Sequence, residues 1–228
     1  MKNKTIIRKR KTNNWLFLIG LSVTIIALAA SAPPKKKVLI IGDSISIGYF
    51  PFVRNALTQS AEVSHNPGNA RHTGAGLRLL DKWLDGEKYD LILFNWGLWD
   101  LTYRHPESTV QGKRDKVNGK VTFTVDRYKA NMDKLVQKLK NTKTPLLFVT
   151  TTVVPPDEAG RFEGDEVIYN KAAAEVMKKY DVDIVDLHRY SVDIHKQYRL
   201  KEGDVHYTKE GYEELSKPIV DAIKKKLK

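Results

Sequence analysis

Cysteine is absent from all 228 residues. That excludes disulfides, thiol nucleophiles, zinc–thiolate sites and a lipid-modified N-terminal cysteine. Phosphate and dinucleotide loops are missing as well: Gly42 and Gly48 bracket five residues with no lysine after them, and no Gly-x-Gly-x-x-Gly occurs. There is no His-Glu-x-x-His or comparable metal spacing, no Gly-x-Ser-x-Gly elbow, no internal repeat and no low-complexity tract. No metal and no cofactor is expected. The formal charge is +12, yet basic stripes interleaved with aromatics are lacking, so nucleic acid is not an expected partner. Half of that excess comes from Lys2, Lys4, Arg8, Lys9, Arg10 and Lys11, ahead of the first acidic residue, and a second basic cluster closes the chain at Lys224–Lys228.

What is present begins with a targeting pattern. A basic stretch, Met1–Asn14, precedes an apolar run from Trp15 to Ala30, then the small-x-small site Ala30-Ser31-Ala32 and Pro33-Pro34. The run is long for a signal peptide and short for a full span of about 20 residues. Residues 1–32 therefore read as a signal peptide or signal anchor, 33–37 as a linker, and 38–228 as one α/β domain. In either case the domain works outside the cytoplasm, as a secreted, periplasmic or membrane-anchored extracellular protein, touching a membrane only through its N-terminal segment.

The domain is organised around Val38–Gly48. Val38 to Ile41 form an unbroken apolar run, as a strand buried on both faces of a parallel sheet requires. Gly42 permits a sharp turn, Asp43 and Ser44 stand where a helix begins, and Ile45, Tyr49, Phe52 and Val53 continue at helical spacing. A serine there lies near free backbone N–H groups and the positive end of a helix dipole, which stabilise the oxyanion of acyl transfer. Helix N-capping is the simpler use of such a serine.

Strand and helix then alternate. Strands are expected at Glu62–His65, Tyr89–Phe94, Pro145–Thr151 and Val182–Val185. Helices are expected at Thr73–Leu84, Asp126–Leu139 (stripe Tyr128, Met132, Leu135, Leu139), Asp165–Tyr180, Tyr190–Tyr198 and Thr208–Leu227, the last broken or kinked near Pro218. Alternation implies a parallel sheet with right-handed crossovers and a site beyond the carboxyl ends of its strands. That rim gathers Ser44 and the loops Asn66–Thr73, Asn95–Asp100 and Thr151–Pro156. Leu101–Val125 is too long for an ordinary connection, and Asn118-Gly119 within it predicts a hairpin, either a lid or specificity element or a surface decoration.

A serine needs a base, and histidine is the usual one. His206 lies in Glu202-Gly-Asp-Val-His-Tyr-Thr208, just before the closing helix, and Asp204, two residues earlier in an extended segment, is placed to hold its Nδ1–H. Asp193 and His195 share the spacing, but on a helix residues two apart do not face each other. His65, His72, His105 and His188 read as loop or surface residues. Ser46, the rival nucleophile, falls inside the first helical turn and points elsewhere.

Gly42-Asp43-Ser44 near the start of the domain, a Gly-x-x-Asp loop after the third strand and a late Asp-x-His before the last helix together resemble the SGNH (GDSL) hydrolases. The resemblance implies a flavodoxin-like three-layer sandwich with a central five-stranded parallel sheet of order 2-1-3-4-5. It also implies hydrolysis of acyl esters by a Ser–His–Asp triad without a cofactor. Ser44 would be the nucleophile, its own N–H one oxyanion donor, and His206 the base. Three departures stand out. In the second block, registering on Asn66 and Thr73 puts Arg71 at the family's glycine, whereas registering on the glycine selects Gly68. The third block reads Gly97-Leu98-Trp99-Asp100, so tryptophan replaces the oxyanion asparagine; Asn95 or Asn69 could fill the vacancy. In the last block Gly203 replaces the usual aspartate, leaving Asp204 or Glu202 as the acid, or a Ser–His dyad without one.

Asp43 and Trp99 are the expected substrate contacts, with Trp96 and Trp99 either stacking on a sugar or packed beneath the rim. Polar, basic loops (Arg71, His72, Arg104, His105, Lys113, Arg114) favour a short acyl group on a carbohydrate or an anionic substrate. The expected function is an exported serine esterase, with a carbohydrate O-acetyl ester, from a small molecule or an envelope glycan, as substrate. The alternatives are a lysophospholipase or thioesterase of the same fold, or a catalytically silent envelope-binding domain.

Overall fold

The computed structural model describes residues 34–228; the signal or anchor segment read at 1–32 lies outside the described residues. The first apolar run forms β1 (Lys36–Ile41), with Val38 to Ile41 all buried. It is followed by α1 (Ser44–Leu57), β2 (Ala61–His65), α2 (Thr73–Leu84) and β3 (Leu91–Phe94). Two-residue strands β4 (Tyr103–Arg104) and β5 (Lys120–Val121) lie in the long excursion. Then come α3 (Val125–Asn141), β6 (Leu146–Val149), α4 (Asp165–Lys179), β7 (Asp183–Val185), α5 (Leu187–Tyr198) and α6 (Lys209–Lys226).

Five parallel strands form one sheet in the order β2-β1-β3-β6-β7. Because β4 and β5 pair only with each other, this is the expected order 2-1-3-4-5 counted over the strands of the main sheet. One layer of helices packs α1 on α6 and α6 on α5; the other runs α2, α3, α4 in series. Every side chain of β3 and β6 is buried, as a sheet covered on both faces demands. Register aligns Ile41 with Phe94 and Phe94 with Phe148, so the chain leaves β1, β3 and β6 at one level. That shared edge is where Gly42–Ser44, Asn95–Asp100 and the loop after Val149 begin.

Two expectations are corrected. Asn118-Gly119 does not cap a two-residue hairpin: β4 pairs antiparallel with β5 across the whole excursion, and Arg104 also bridges to Arg114. The Asp115 carboxylate accepts the N–H groups of Val117 and Asn118 at 2.9 Å each, and this local turn takes up the Asn-Gly pair. Of the break or kink expected near Pro218, the break is absent: the closing helix runs through that residue as a single helix. Among the described residues no helix is long and apolar enough to cross a membrane.

At the rim, packing is close enough to require glycine. A Cβ on Gly97 would stand 1.9 Å from Thr151 Oγ1, which itself reaches the Trp96 carbonyl at 3.3 Å. The Gly97→Ala variant is expected to lose about 1–3 kcal/mol from overpacking. A fall in the urea midpoint at unchanged m-value is the expected measurement.

Candidate active site

The turn after β1 shows which residue caps α1. Asp43, not Ser44, caps α1, accepting the Ile45 N–H on Oδ1 at 3.0 Å. Ser44 is then the first helical residue, half-buried, with its hydroxyl unused by the cap and its N–H without a partner among the described residues. Ser46 is buried instead: its hydroxyl donates to the Asp43 carbonyl at 2.8 Å and meets His65 Nε2 at 2.8 Å. His65, on β2, is thus an internal partner of Ser46 rather than a loop residue, and burial pushes its imidazole below the usual range.

His206 is delivered by the loop between α5 and α6. Arg199 and Tyr207 form an antiparallel bridge, and Leu200 N–H donates to the His206 carbonyl at 2.9 Å, which fixes the loop's shape. His206 Nε2 lies 2.8 Å from Ser44 Oγ, across 162 residues of sequence, and its Nδ1 lies 2.6 Å from Asp204 Oδ1. The same carboxylate oxygen accepts the His206 backbone N–H at 3.0 Å. An Asx turn therefore aligns acid and imidazole, not strand alternation. Partial burial pulls the Asp204 carboxyl upward, but the two N–H groups of His206 outweigh it and hold the group below its ordinary value. His195, buried in α5, contacts the Asp204 carbonyl through Nε2 at 2.7 Å, while Asp193 pairs with Lys196 at the surface. His195 thus braces the acid loop, a role with no local sequence signal.

These groups open into a cleft of about 450 Å³ lined by Asp43, Ser44, Asn69, Trp99, Asp204 and His206, together with Arg104, Gln111 and Arg114 of the excursion. A family model described as GDSL-like lipase/acylhydrolase matches residues 40–214. The chain belongs to the GDSL-like lipase/acylhydrolase family. Membership makes it a carboxylic ester hydrolase. Solved structures share the fold. A lipase/acylhydrolase from Enterococcus faecalis is 21% identical with a TM-score of 0.68, covering 85% of this chain and 97% of that one. An acetyl xylan esterase is 16% identical at 0.65, covering 82% and 99%. An acetylxylan esterase from Geobacillus stearothermophilus is 16% identical at 0.66, covering 82% and 94%. A search of curated proteins finds no match.

In this acylhydrolase the candidate oxyanion donors separate. Asn95 is excluded: its amide donates to the Val149 carbonyl at 2.8 Å, tying β3 to β6 away from the cleft. Asn69 lines the cleft, and its Oδ1 accepts the Arg71 N–H at 2.8 Å, leaving Nδ2 without a partner among the described residues. The same bond commits the Arg71 N–H. Gly68, at a φ of 68°, is exposed and does not line the cleft. Asn66 latches this loop by accepting the Gly42 N–H at 2.8 Å. Trp96 is wholly buried, whereas half-buried Trp99 lines the cleft with the Arg104 guanidinium 4.9 Å above its ring. A sugar stacking on Trp99 would meet a ring that already carries Arg104.

Beneath the cleft, Asp100 accepts both N–H and O–H of Thr73, the hydroxyl at 2.5 Å, and Asn131 donates to the same Thr73 at 2.9 Å. Burial pushes the Asp100 carboxyl up to about 7 against those bonds. A folded-state value above the ordinary 3.8 means the folded chain holds this proton more tightly. Its contribution to stability is complete below about 4 and declines as pH rises towards about 7. Asp100→Asn, which cannot ionise, is expected to reduce the fall in urea midpoint between pH 5 and pH 8.

Proposed function

We propose that this acylhydrolase is an exported serine esterase removing short acyl groups, acetyl above all, from carbohydrate or envelope glycans. The observation that carries the reading is the Ser44–His206–Asp204 chain of 2.8 and 2.6 Å contacts opening into one cleft. Ser44 Oγ attacks the acyl carbon while His206 Nε2 takes its proton and Asp204 holds the imidazolium. The collapsing intermediate expels the alcohol, which receives that proton. Water then attacks the acyl-serine with the same base, releasing the carboxylic acid and restoring Ser44.

The Ser44 N–H and the Asn69 amide are the proposed oxyanion donors, the latter in place of the asparagine that Trp99 displaces. Asp43 supports the site as the cap that frees Ser44, a structural role rather than the expected substrate contact. Charged walls in place of a long apolar groove support a small acyl group over a lysophospholipid chain. Two acetyl xylan esterases among the structural neighbours support a sugar alcohol. The basic, apolar and small-x-small order of residues 1–32 supports export.

Turnover of p-nitrophenyl acetate tests the mechanism. Ser44→Ala is expected to lower kcat by about 10⁴-fold or more, and Asp204→Asn by about 10²–10⁴. Asn69→Ala is expected to lower kcat by about 10²–10³ with little change in KM. Equal rates for wild type and Ser44→Ala would overturn the nucleophile assignment and favour a silent binding domain.

A further inference from the structure

The proposed chemistry leaves a group of positive charges in the cleft without a task. Glu158, wholly buried in the loop after β6, pairs with Arg161 at 2.9 Å and with Arg114, and also accepts the Gly160 N–H at 2.7 Å. One carboxylate thus serves two guanidiniums. Arg161 is also anchored on the Leu98 carbonyl at 2.7 Å. Arg104 has no carboxylate partner among the described residues; it bonds the Gly112 carbonyl and sits over the Trp99 ring. Lys201, exposed and also lining the cleft, has no ion pair among them either. Neither acid of the cleft forms an ion pair with Arg104 or Lys201 among the described residues: Asp204 bonds His206, and Asp43 is buried with its Oδ2 sealed from solvent.

A guanidinium held over an indole, with N–H donors to spare, is preorganised for a carboxylate or phosphate. A short acyl group at Ser44 does not extend across the cleft, so such an anion would belong to the alcohol part of the ester. We propose that Arg104 and Lys201, backed by Arg114, form an anion subsite, and that the preferred substrate is an acylated acidic glycan. The inference rests on the esterase reading above for its substrate, though not for the subsite itself.

The test compares kcat/KM of the full-length protein on an O-acetylated uronic acid, its neutral methyl uronate and an O-acetylated sugar phosphate. Wild type is expected to favour an acidic substrate over the neutral one by about tenfold at low salt, less at high salt. Whichever acidic substrate shows the larger ratio identifies the anion as carboxylate or phosphate. Arg104→Gln and Lys201→Gln should each reduce the ratio several-fold, and Lys201→Gln, at an exposed position, tests the idea even if the first variant fails to fold. A ratio near one in wild type, or an unchanged ratio in the folded variants, overturns the proposal and leaves Arg104 as a clip for the Gly112 turn. Should wild type hydrolyse none of the three esters, the esterase reading fails, and titration with glucuronate and inorganic phosphate decides the subsite. Binding weakened by Arg104→Gln or Lys201→Gln supports it; no binding of either anion by wild type overturns it.

Discussion

The cleft depends on one hydrogen bond at the start of α1, from the Ile45 N–H to the Asp43 carboxylate. A helix beginning right after a buried strand needs a cap, and any side chain spent on it is lost to other use. With Asp43 capping, Ser44 keeps its hydroxyl for His206. Ser46, two positions on, turns inward to the Asp43 carbonyl and His65. The arrangement has a cost: Asp43 is almost wholly buried with one carboxylate oxygen unpartnered, and burial raises its pKa against the pull of the Ile45 N–H, Arg161 and His206.

The sheet was readable because its strands are apolar runs buried on both faces, and α2 and α3 because their stripes repeat at helical spacing. Boundaries moved by one to three residues, as at β3, where Tyr89 and Asp90 stay outside the strand while Asp90 binds the Lys37 N–H at 2.8 Å. Ser44 and His206 were legible as residue types at the two ends of the domain. Their separation was not, since it depends on the bridge between Arg199 and Tyr207. Asp204 was the right acidic neighbour of His206 for a reason other than the one expected, an Asx turn in place of alternation.

Other parts of the site had no signal at all. Asn95 and Asn69 are equivalent on paper; what separates them is a carbonyl at the end of β6, 54 residues from Asn95, and an N–H two residues from Asn69. The Asn-Gly pair misled because Asp115 captures the local N–H groups before a hairpin can form around it. Glu158 and Arg161 sit in a long polar loop where burial is the last thing composition suggests, yet both are buried and paired.

The excursion between β3 and α3 is stitched to the loop after β6 by main-chain bonds from Tyr103 N–H to the Gly160 carbonyl at 2.7 Å and from Lys116 N–H to the Ala159 carbonyl at 2.9 Å. It carries Arg104, Gln111 and Arg114 into the cleft but adds no strand to the main sheet. Of the proposed anion subsite, Arg104 and Arg114 thus ride on the excursion, whereas Lys201 shares the loop that carries Asp204 and His206. On the proposed reading, substitutions in the excursion would change which ester alcohols are held without displacing Ser44 or His206.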